Sequence, residues 1–455
     1  MVSKRYDVVV VGGGPGGYPA AVAAAAAGAR VALVEARALG GECTNYACVP
    51  TKALLKAAKS VADAAKWGRL QEVDARSIAS WIEDVVSRVR DGVRYILERR
   101  GVDIYLASAH IESRNALALS TGEVIEFRQL VVATGSEPWE PPGLEPDGEL
   151  VHNNRTVISA LKEQPSRVLV VGGGAAGVEY AEAFAMLGAE VHLVEILERI
   201  LPGMDRDLSR AASMHLRRLG VRVSTSTSVE SLERLGRKVA VKLSNGVELE
   251  VDAVIIATGR KPVTEPLGVS KLGVETDAKG FVKVNERMET RVPGIYASGD
   301  VTGPPLLAHK AIHQGIVAGL NAAGGSAVYK PGYVPLVVYA SLELAQVGAT
   351  LEEARAAGID AAEVRVRLGS VARGVVEGME YGFAKLVYDR RTGKVLGGAI
   401  ASPHASEMIA TLALAAKKGL TVEDLAELQY PHPTVSEALG EAALAALGRA
   451  VHYVK

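Results

Sequence analysis

An α/β fold containing two parallel-sheet units is what this sequence predicts. Three observations predict it: a duplicated segment of strand, glycine turn, helix and strand; a strand end, Ala-Thr-Gly, that occurs twice; and a length of 455 residues. At about 150 residues per domain, that length implies roughly three domains. The composition is 48% hydrophobic, with 51 Lys+Arg against 52 Asp+Glu. That balance suits folded cores and leaves no charge footprint for nucleic acid or an anionic membrane. Two Cys cannot staple a chain this long, so their importance is chemical.

The first element follows two cations, Lys4 and Arg5, and runs uncharged over residues 8–29, which imitates a signal peptide or a membrane span. The glycine-rich turn over residues 12–17, with Pro15 inside it, would break such a helix at its centre. The flanking alanines are too weakly apolar to insert. A cytoplasmic protein with neither membrane nor nucleic-acid partner is expected.

The segment 6–35, YDVVVVGGGPGGYPAAVAAAAAGARVALVE, returns over 166–195 as SRVLVVGGGAAGVEYAEAFAMLGAEVHLVE. Gly12, Gly14, Gly17, Gly28 and Glu35 pair with Gly172, Gly174, Gly177, Gly188 and Glu195 at a constant offset of 160. Each copy is a complete dinucleotide fingerprint, so two Rossmann-like units are expected. The first Gly makes the turn, the second admits a pyrophosphate, and the third lets helix and strand pack closely. Glu35 and Glu195 are expected to receive adenosine ribose hydroxyls. Glu195 repels a 2′-phosphate, and no Arg lies in 196–198, which points to NAD; Arg199 is the one residue placed to weaken that inference. The strand ends Ala133-Thr134-Gly135 and Ala257-Thr258-Gly259 fall late in each unit, where backbone could close over a nucleotide.

After the first carboxylate comes GGECTNYACVPTK over residues 40–52, carrying both Cys, Cys43 and Cys48. In a regular helix such residues have Cα atoms roughly 8 to 9 Å apart, beyond the limit of about 7 Å for a disulfide. A bridge therefore needs distorted backbone, which Pro50 is placed to supply. A strained, reducible bond beside a redox cofactor reads as catalytic. Near the far end, His432 stands between two prolines and Glu437 opens a helical pattern, with Ser436 as a candidate cap. An imidazole oriented by a carboxylate is a good base for a thiol.

With these motifs the chain closely resembles the flavin-dependent pyridine nucleotide-disulfide oxidoreductases over nearly its whole length. The match to Leu307-Ala308-His309-Lys310-Ala311 points to their lipoamide branch. The resemblance implies a glutathione-reductase-like fold, two Rossmann-like dinucleotide-binding domains plus a C-terminal α+β interface domain that dimerises the chain. The expected boundaries are 1–146 for FAD, 147–276 for NAD, 277–328 for a central return to the FAD domain, and 329–455 for the interface. It implies an FAD site of Gly12, Gly14, Pro15, Gly16, Gly17, Glu35, Ala36, Gly41, Glu42, Cys43, Lys52, Ala109, Ala133, Thr134, Gly135, Asp300, Leu307, Ala308 and His309. The implied NAD site is Gly172, Gly174, Ala175, Ala176, Gly177, Glu179, Glu195, Val229 and Gly259, and no metal is implied. Catalysis would use Cys43 as the thiol that meets substrate, Cys48 as the thiol against the flavin, Lys52 paired with Glu179 near flavin N5, and His432 with Glu437 as the acid/base pair. In such proteins the base reaches across a homodimer, and the substrate is a small dithiol or disulfide, here lipoamide or a lipoyl domain.

This chain departs from the family pattern at Glu42, Thr44, Tyr46 and Ala47 around the Cys pair. It departs again at Tyr430, where the lipoamide branch often has another His, and before Glu343, where Pro is absent. A carboxylate at Glu42 is expected to disfavour a Cys43 thiolate and repel anionic substrates. The nearest rival reading is an NAD(P)H-dependent reductase of another small disulfide. Glu195 argues against a glutathione reductase, and the absence of a C-terminal Cys pair against a mercuric type. A non-catalytic redox-sensing subunit is the remaining alternative, although it predicts the loss of a redox residue and none is missing.

Overall fold

The computed structural model describes residues 4–68 and 74–454. Lys4–Val11, Val31–Glu35 and Val124–Val132 are rich in Val and form strands, with Val8, Val9, Val10, Leu33, Val131 and Val132 all buried. Such continuous apolar runs suit strands covered on both faces. They pair in parallel, with Asp103–Leu106 outside Val31–Glu35 and Ile295–Ala297 beside the end of Val124–Val132. Val124–Val132 also closes an antiparallel meander with Ala109–Ser113 and Ala116–Leu119.

The second unit repeats this plan. Arg222–Ser224, Glu190–Val194, Arg167–Val171, Ala253–Ile256 and Val151–His152 lie in that order in one parallel sheet. A meander of Val229–Leu235, Lys238–Leu243 and Glu248–Val251 stands where the first unit has its own. The offset of 160 at the glycines falls to 124 between Thr134 and Thr258. The first unit is longer because it inserts the helices Gly41–Asn45, Cys48–Lys66 and Ala75–Arg99 between its second and third strands. Asp74 caps the last of these through the backbone N–H groups of Arg76 and Ser77.

The two Ala-Thr-Gly ends have a role that the sequence did not reveal. Each runs into a short strand, Ser136–Pro138 or Arg260–Pro262, and these pair with each other. Thr134 Oγ1 donates to the Val263 carbonyl at 2.5 Å, and Thr258 Oγ1 donates to that of Trp139 at 2.7 Å. The repeated turns thus join the two units in a reciprocal ribbon.

The alanine run that imitated a membrane segment is the helix Tyr18–Ala26, in which Ala20, Ala21 and Ala24 are fully buried. It packs on Ala308–Ala322 so closely that a Cβ on Gly319 would lie 2.1 Å from the Ala20 carbonyl oxygen. Small residues on both helices allow that approach. Among the described residues no helix is long and apolar enough to cross a membrane.

The C-terminal region is a five-stranded antiparallel sheet in the order Leu336–Val338, Leu344–Gly348, Val395–Ala401, Phe383–Asp389 and Ala361–Arg367. The helices Ala405–Lys418 and Glu437–Ala446 cover it, burying Ile409, Leu412, Leu439 and Ala442.

Candidate functional site

The two fingerprint turns are nearly superimposable in their contacts. A Cβ on Gly17 or on Gly177 would lie 1.8 Å from the carbonyl oxygen of Gly12 or Gly172, so only glycine closes either turn. Glu35 accepts the Gly13 N–H at 2.6 Å and the Arg37 N–H at 2.8 Å. Glu195 accepts those of Gly173 at 2.6 Å and Leu197 at 2.9 Å. Each carboxylate therefore first braces its own glycine loop, a role beyond the ribose contact expected of it. Neither following helix, Tyr18–Ala26 or Ala175–Met186, has a side-chain cap, which leaves N–H groups to receive phosphate oxygens. A Cβ on Gly174 would meet nothing within 4 Å, and Ala175 and Ala176 are exposed beside it. Arg199 is tied to the carbonyls of Pro202 at 2.7 Å and Met204 at 3.0 Å and to Ser209 Oγ at 3.2 Å, so its guanidinium is already engaged.

In the first unit the turn opens on a cleft of about 380 Å³. Gly12, Gly14, Pro15, Gly16, Glu35, Ala36, Gly41, Glu42, Cys43, Cys48, Ala109, Ala133, Thr134, Gly135, Asp300 and Ala308 all line it. Gly17 lies behind the turn, and Lys52 lies one helical turn beyond Cys48. Leu307 and His309 are not on its walls; His309 Nε2 pairs with the Pro335 carbonyl at 2.9 Å, while Leu306 and Ala311 face the cleft instead. In the second unit Val229 starts a meander strand, half-buried, and Gly259 is exposed with its carbonyl bonded to the Trp139 N–H at 3.0 Å.

The backbone distortion that the cysteines require is present, but Pro50 does not cause it. Gly41–Asn45 ends at Tyr46, and Ala47 takes φ −128° and ψ −92° before the next helix starts at Cys48. Pro50 sits in the first turn of that helix, where a missing N–H costs nothing. Cys43 donates its S–H to the Cys48 sulfur, which pushes the Cys43 thiol up, reinforced by burial, and lowers that of Cys48. Burial opposes the shift at Cys48 and the Lys52 cation assists it, as does the helix N-terminus. Lys52 Nζ lies 2.8 Å from Glu179 Oε2. Burial disfavours the ammonium, yet Glu179 outweighs it and holds Lys52 above its usual range. Glu179 also accepts the Tyr339 N–H at 2.9 Å.

The expectation for Glu42 needs correcting. Its carboxylate does not press on Cys43 as a bare charge. It takes Arg155 Nη2 at 2.6 Å, Arg260 Nη2 at 3.2 Å and Asn154 Nδ2 at 3.0 Å, with Arg37 Nη1 at 3.6 Å. Burial raises its pKa, but Arg260 and Arg155 prevail and lower it. Three guanidiniums around one carboxylate leave this rim positive, so repulsion of an anion no longer follows. Arg260 also donates to Ser136 Oγ at 2.7 Å, and Ser136 donates to Asp300 at 2.6 Å. Sequence reasoning missed these partners. Arg260 directly follows the second Ala-Thr-Gly and Ser136 the first, so the repeat held a signal for both; Arg155 had none.

His432 Nδ1 and Glu437 Oε1 are 2.8 Å apart, and Glu437 Oε2 accepts the Thr434 N–H at 2.8 Å. Ser436 occupies the cap position without a capping side-chain bond. His432 is not on the cleft of its own chain, and its side chain is 70% exposed. Tyr430 packs on Gly440, within the C-terminal region.

Residues 6–315 match the family described as pyridine nucleotide-disulphide oxidoreductase, and 334–443 match its dimerisation domain. The chain is similar to proteins named dihydrolipoyl dehydrogenase: 40% identical to that of Thermus scotoductus, over 99% of each chain. It is 35% identical to that of Bacillus subtilis, over 99% of this chain and 98% of the other. Among solved structures, LpdA from Mycobacterium tuberculosis is 28% identical with a TM-score of 0.90, covering 97% of this chain and 99% of its own. The HOCl-induced flavoprotein disulfide reductase RclA from Escherichia coli is 28% identical with a TM-score of 0.87, covering 96% and 99%.

Proposed function

The chain belongs to the pyridine nucleotide-disulphide oxidoreductases, and on that footing we propose that it oxidises dihydrolipoamide with reduction of NAD. The observation that carries this reading is the Cys43 and Cys48 pair on the wall of the first cleft, with the Lys52–Glu179 pair behind it. FAD suits the first cleft through the uncapped helix and through Gly14 and Asp300 on its wall; NAD suits the second turn through Glu195, the space beside Gly174 and the engaged Arg199. When bound, the flavin supplies two-electron transfer between the thiol pair and the nicotinamide.

His432, oriented by Glu437, takes a proton from one substrate thiol. The resulting thiolate forms a bond to Cys43 Sγ and breaks the Cys43–Cys48 bond, leaving Cys48 as thiolate. The second substrate thiol then attacks the substrate sulfur of the mixed disulfide, closing the substrate disulfide and breaking its bond to Cys43, and its proton passes to the Cys43 thiolate that leaves. Substrate loses two electrons and the cysteine pair gains them. Lys52 holds the charge of Cys48, and Glu179 holds that of Lys52. His432 is exposed in one chain, which supports a homodimer in which it serves the partner's cleft.

The test is the initial rate of NAD reduction by free dihydrolipoamide, on protein of known flavin content. Turnover of at least about ten per second, a typical enzyme rate, supports the reading. A flavin-loaded protein that NADH reduces but dihydrolipoamide does not would assign it to another small disulfide.

A further inference from the structure

Glu42 is held from two segments distant in sequence. It sits on the turn Gly41–Asn45 that carries Cys43, whereas Asn154 and Arg155 follow the outer strand Val151–His152 of the second unit, and Arg260 belongs to the ribbon. Asn154 grips the same turn a second time, donating to the Tyr46 carbonyl at 3.2 Å. From Arg260 the network continues through Ser136 to Asp300 in the same cleft. The side chains of Glu42, Arg155 and Arg260 are only 21%, 24% and 22% exposed. Ion pairs so sheltered are costly to break from one side, and the exposure they keep leaves them open to screening by concentrated salt.

We propose that Glu42 is a positioning residue that latches the rim of the first cleft, so that the flavin leaves only when the Glu42 ion pairs part. The inference rests on the reading that this cleft holds the flavin. Glu42 also lies next to the phosphate-receiving turn, since a Cβ on neighbouring Gly41 would lie 2.7 Å from the Gly14 Cα. A bare carboxylate there would repel a diphosphate, and its removal would tighten binding. The three guanidiniums cancel that repulsion, so the carboxylate's effect is to draw Arg155 and Arg260 onto the cysteine turn. Loss of the carboxylate therefore loosens the flavin.

The experiment follows first-order flavin release by fluorescence from the flavin-loaded wild type and from Glu42→Gln, Arg155→Met and the double variant. Each single variant is expected to release flavin about tenfold faster at low salt, the scale of one lost charge-assisted hydrogen bond. The double variant is expected to be no faster than the faster single one, because both substitutions remove the same pair. Wild-type release is expected to accelerate between about 0.05 M and about 1 M salt, and Glu42→Gln release to respond far less. Release from Glu42→Gln that is unchanged or slower, additive single effects, or a wild-type rate indifferent to salt would each overturn the latch. The salt series needs no variant to fold. Protein that neither carries nor takes up flavin would instead overturn the reading of the cleft, and is seen before any release is measured.

Discussion

Lys52 Nζ and Glu179 Oε2 stand 2.8 Å apart and join the helix that begins at Cys48 to the fingerprint helix of the second unit. One cation is thus shared between the thiol of one unit and the carboxylate of the other. The charge on Cys48 depends on a residue supplied by the opposite half of the duplication.

Glu179→Gln tests that dependence. Cys48 is lowered from an ordinary value of 9.0, so its thiolate survives to lower pH than that of an ordinary thiol and is lost as pH falls through the lowered value. With the cysteine pair reduced and the flavin oxidised, the long-wavelength absorbance of the thiolate against the flavin is expected to follow that titration. In Glu179→Gln its midpoint moves to lower pH, because the Glu179 charge itself raises Cys48; a midpoint that moves to higher pH would show that Lys52 loses its proton without Glu179. Cys48→Ser abolishes the band and Cys43→Ser keeps it.

Gly177→Ala and Gly174→Ala separate folding from binding. The first puts a methyl 1.8 Å from the Gly172 carbonyl oxygen, and the second puts it into open space. Gly177→Ala is expected to cost about 3 kcal/mol or more, read as failure to fold or a steep fall in Tm. Gly174→Ala keeps its Tm and raises the KM for NAD. Equal loss of Tm in both would contradict this assignment of the glycines.

Mixed dimers examine the origin of the base. When Cys48→Ser and His432→Gln protomers are unfolded together and reassembled, each mixed dimer has one intact site if His432 serves its partner's cleft. Activity then reappears from two inactive proteins. No recovery, with mixed dimers demonstrated by mass, would place the base within its own chain.

Acid stability reports on Glu42. Its carboxyl lies below the ordinary 4.5, so the stabilisation is complete above that pH and disappears as pH falls through the lowered value. Wild type and Glu42→Gln are expected to differ by about 1 to 3 kcal/mol at neutral pH. They converge only below pH 4.5. Convergence at higher pH would mean the carboxylate is not held by its arginines.

The parts of the site legible in the sequence are those whose chemistry is local. The glycine turns, Glu35 and Glu195, and the closely spaced Cys43 and Cys48 each belong to one short segment whose spacing states the requirement. The pairing of His432 with Glu437 was legible for the same reason. What escaped was assembled across distance. Arg155 meets Glu42 over more than a hundred residues with no motif at either end, so a carboxylate that the sequence made a liability is, in the fold, a neutralised brace. Pro50 failed differently: its breaking power was read without its position in the first helical turn, where it is harmless. The alanines of Tyr18–Ala26 were legible as non-membrane, but their purpose depended on a helix nearly three hundred residues away.

The ribbon between the Ala-Thr-Gly turns bears on how this chain can be recombined. Thr134 is satisfied by Val263 and Thr258 by Trp139, so each half completes the other's hinge. A nucleotide-binding half excised for use elsewhere would leave one hydroxyl and one strand edge without their match. Chimeras that exchange halves between relatives are best drawn so that both short strands come from the same parent, and the duplicated halves, though each follows one plan, are no longer interchangeable modules.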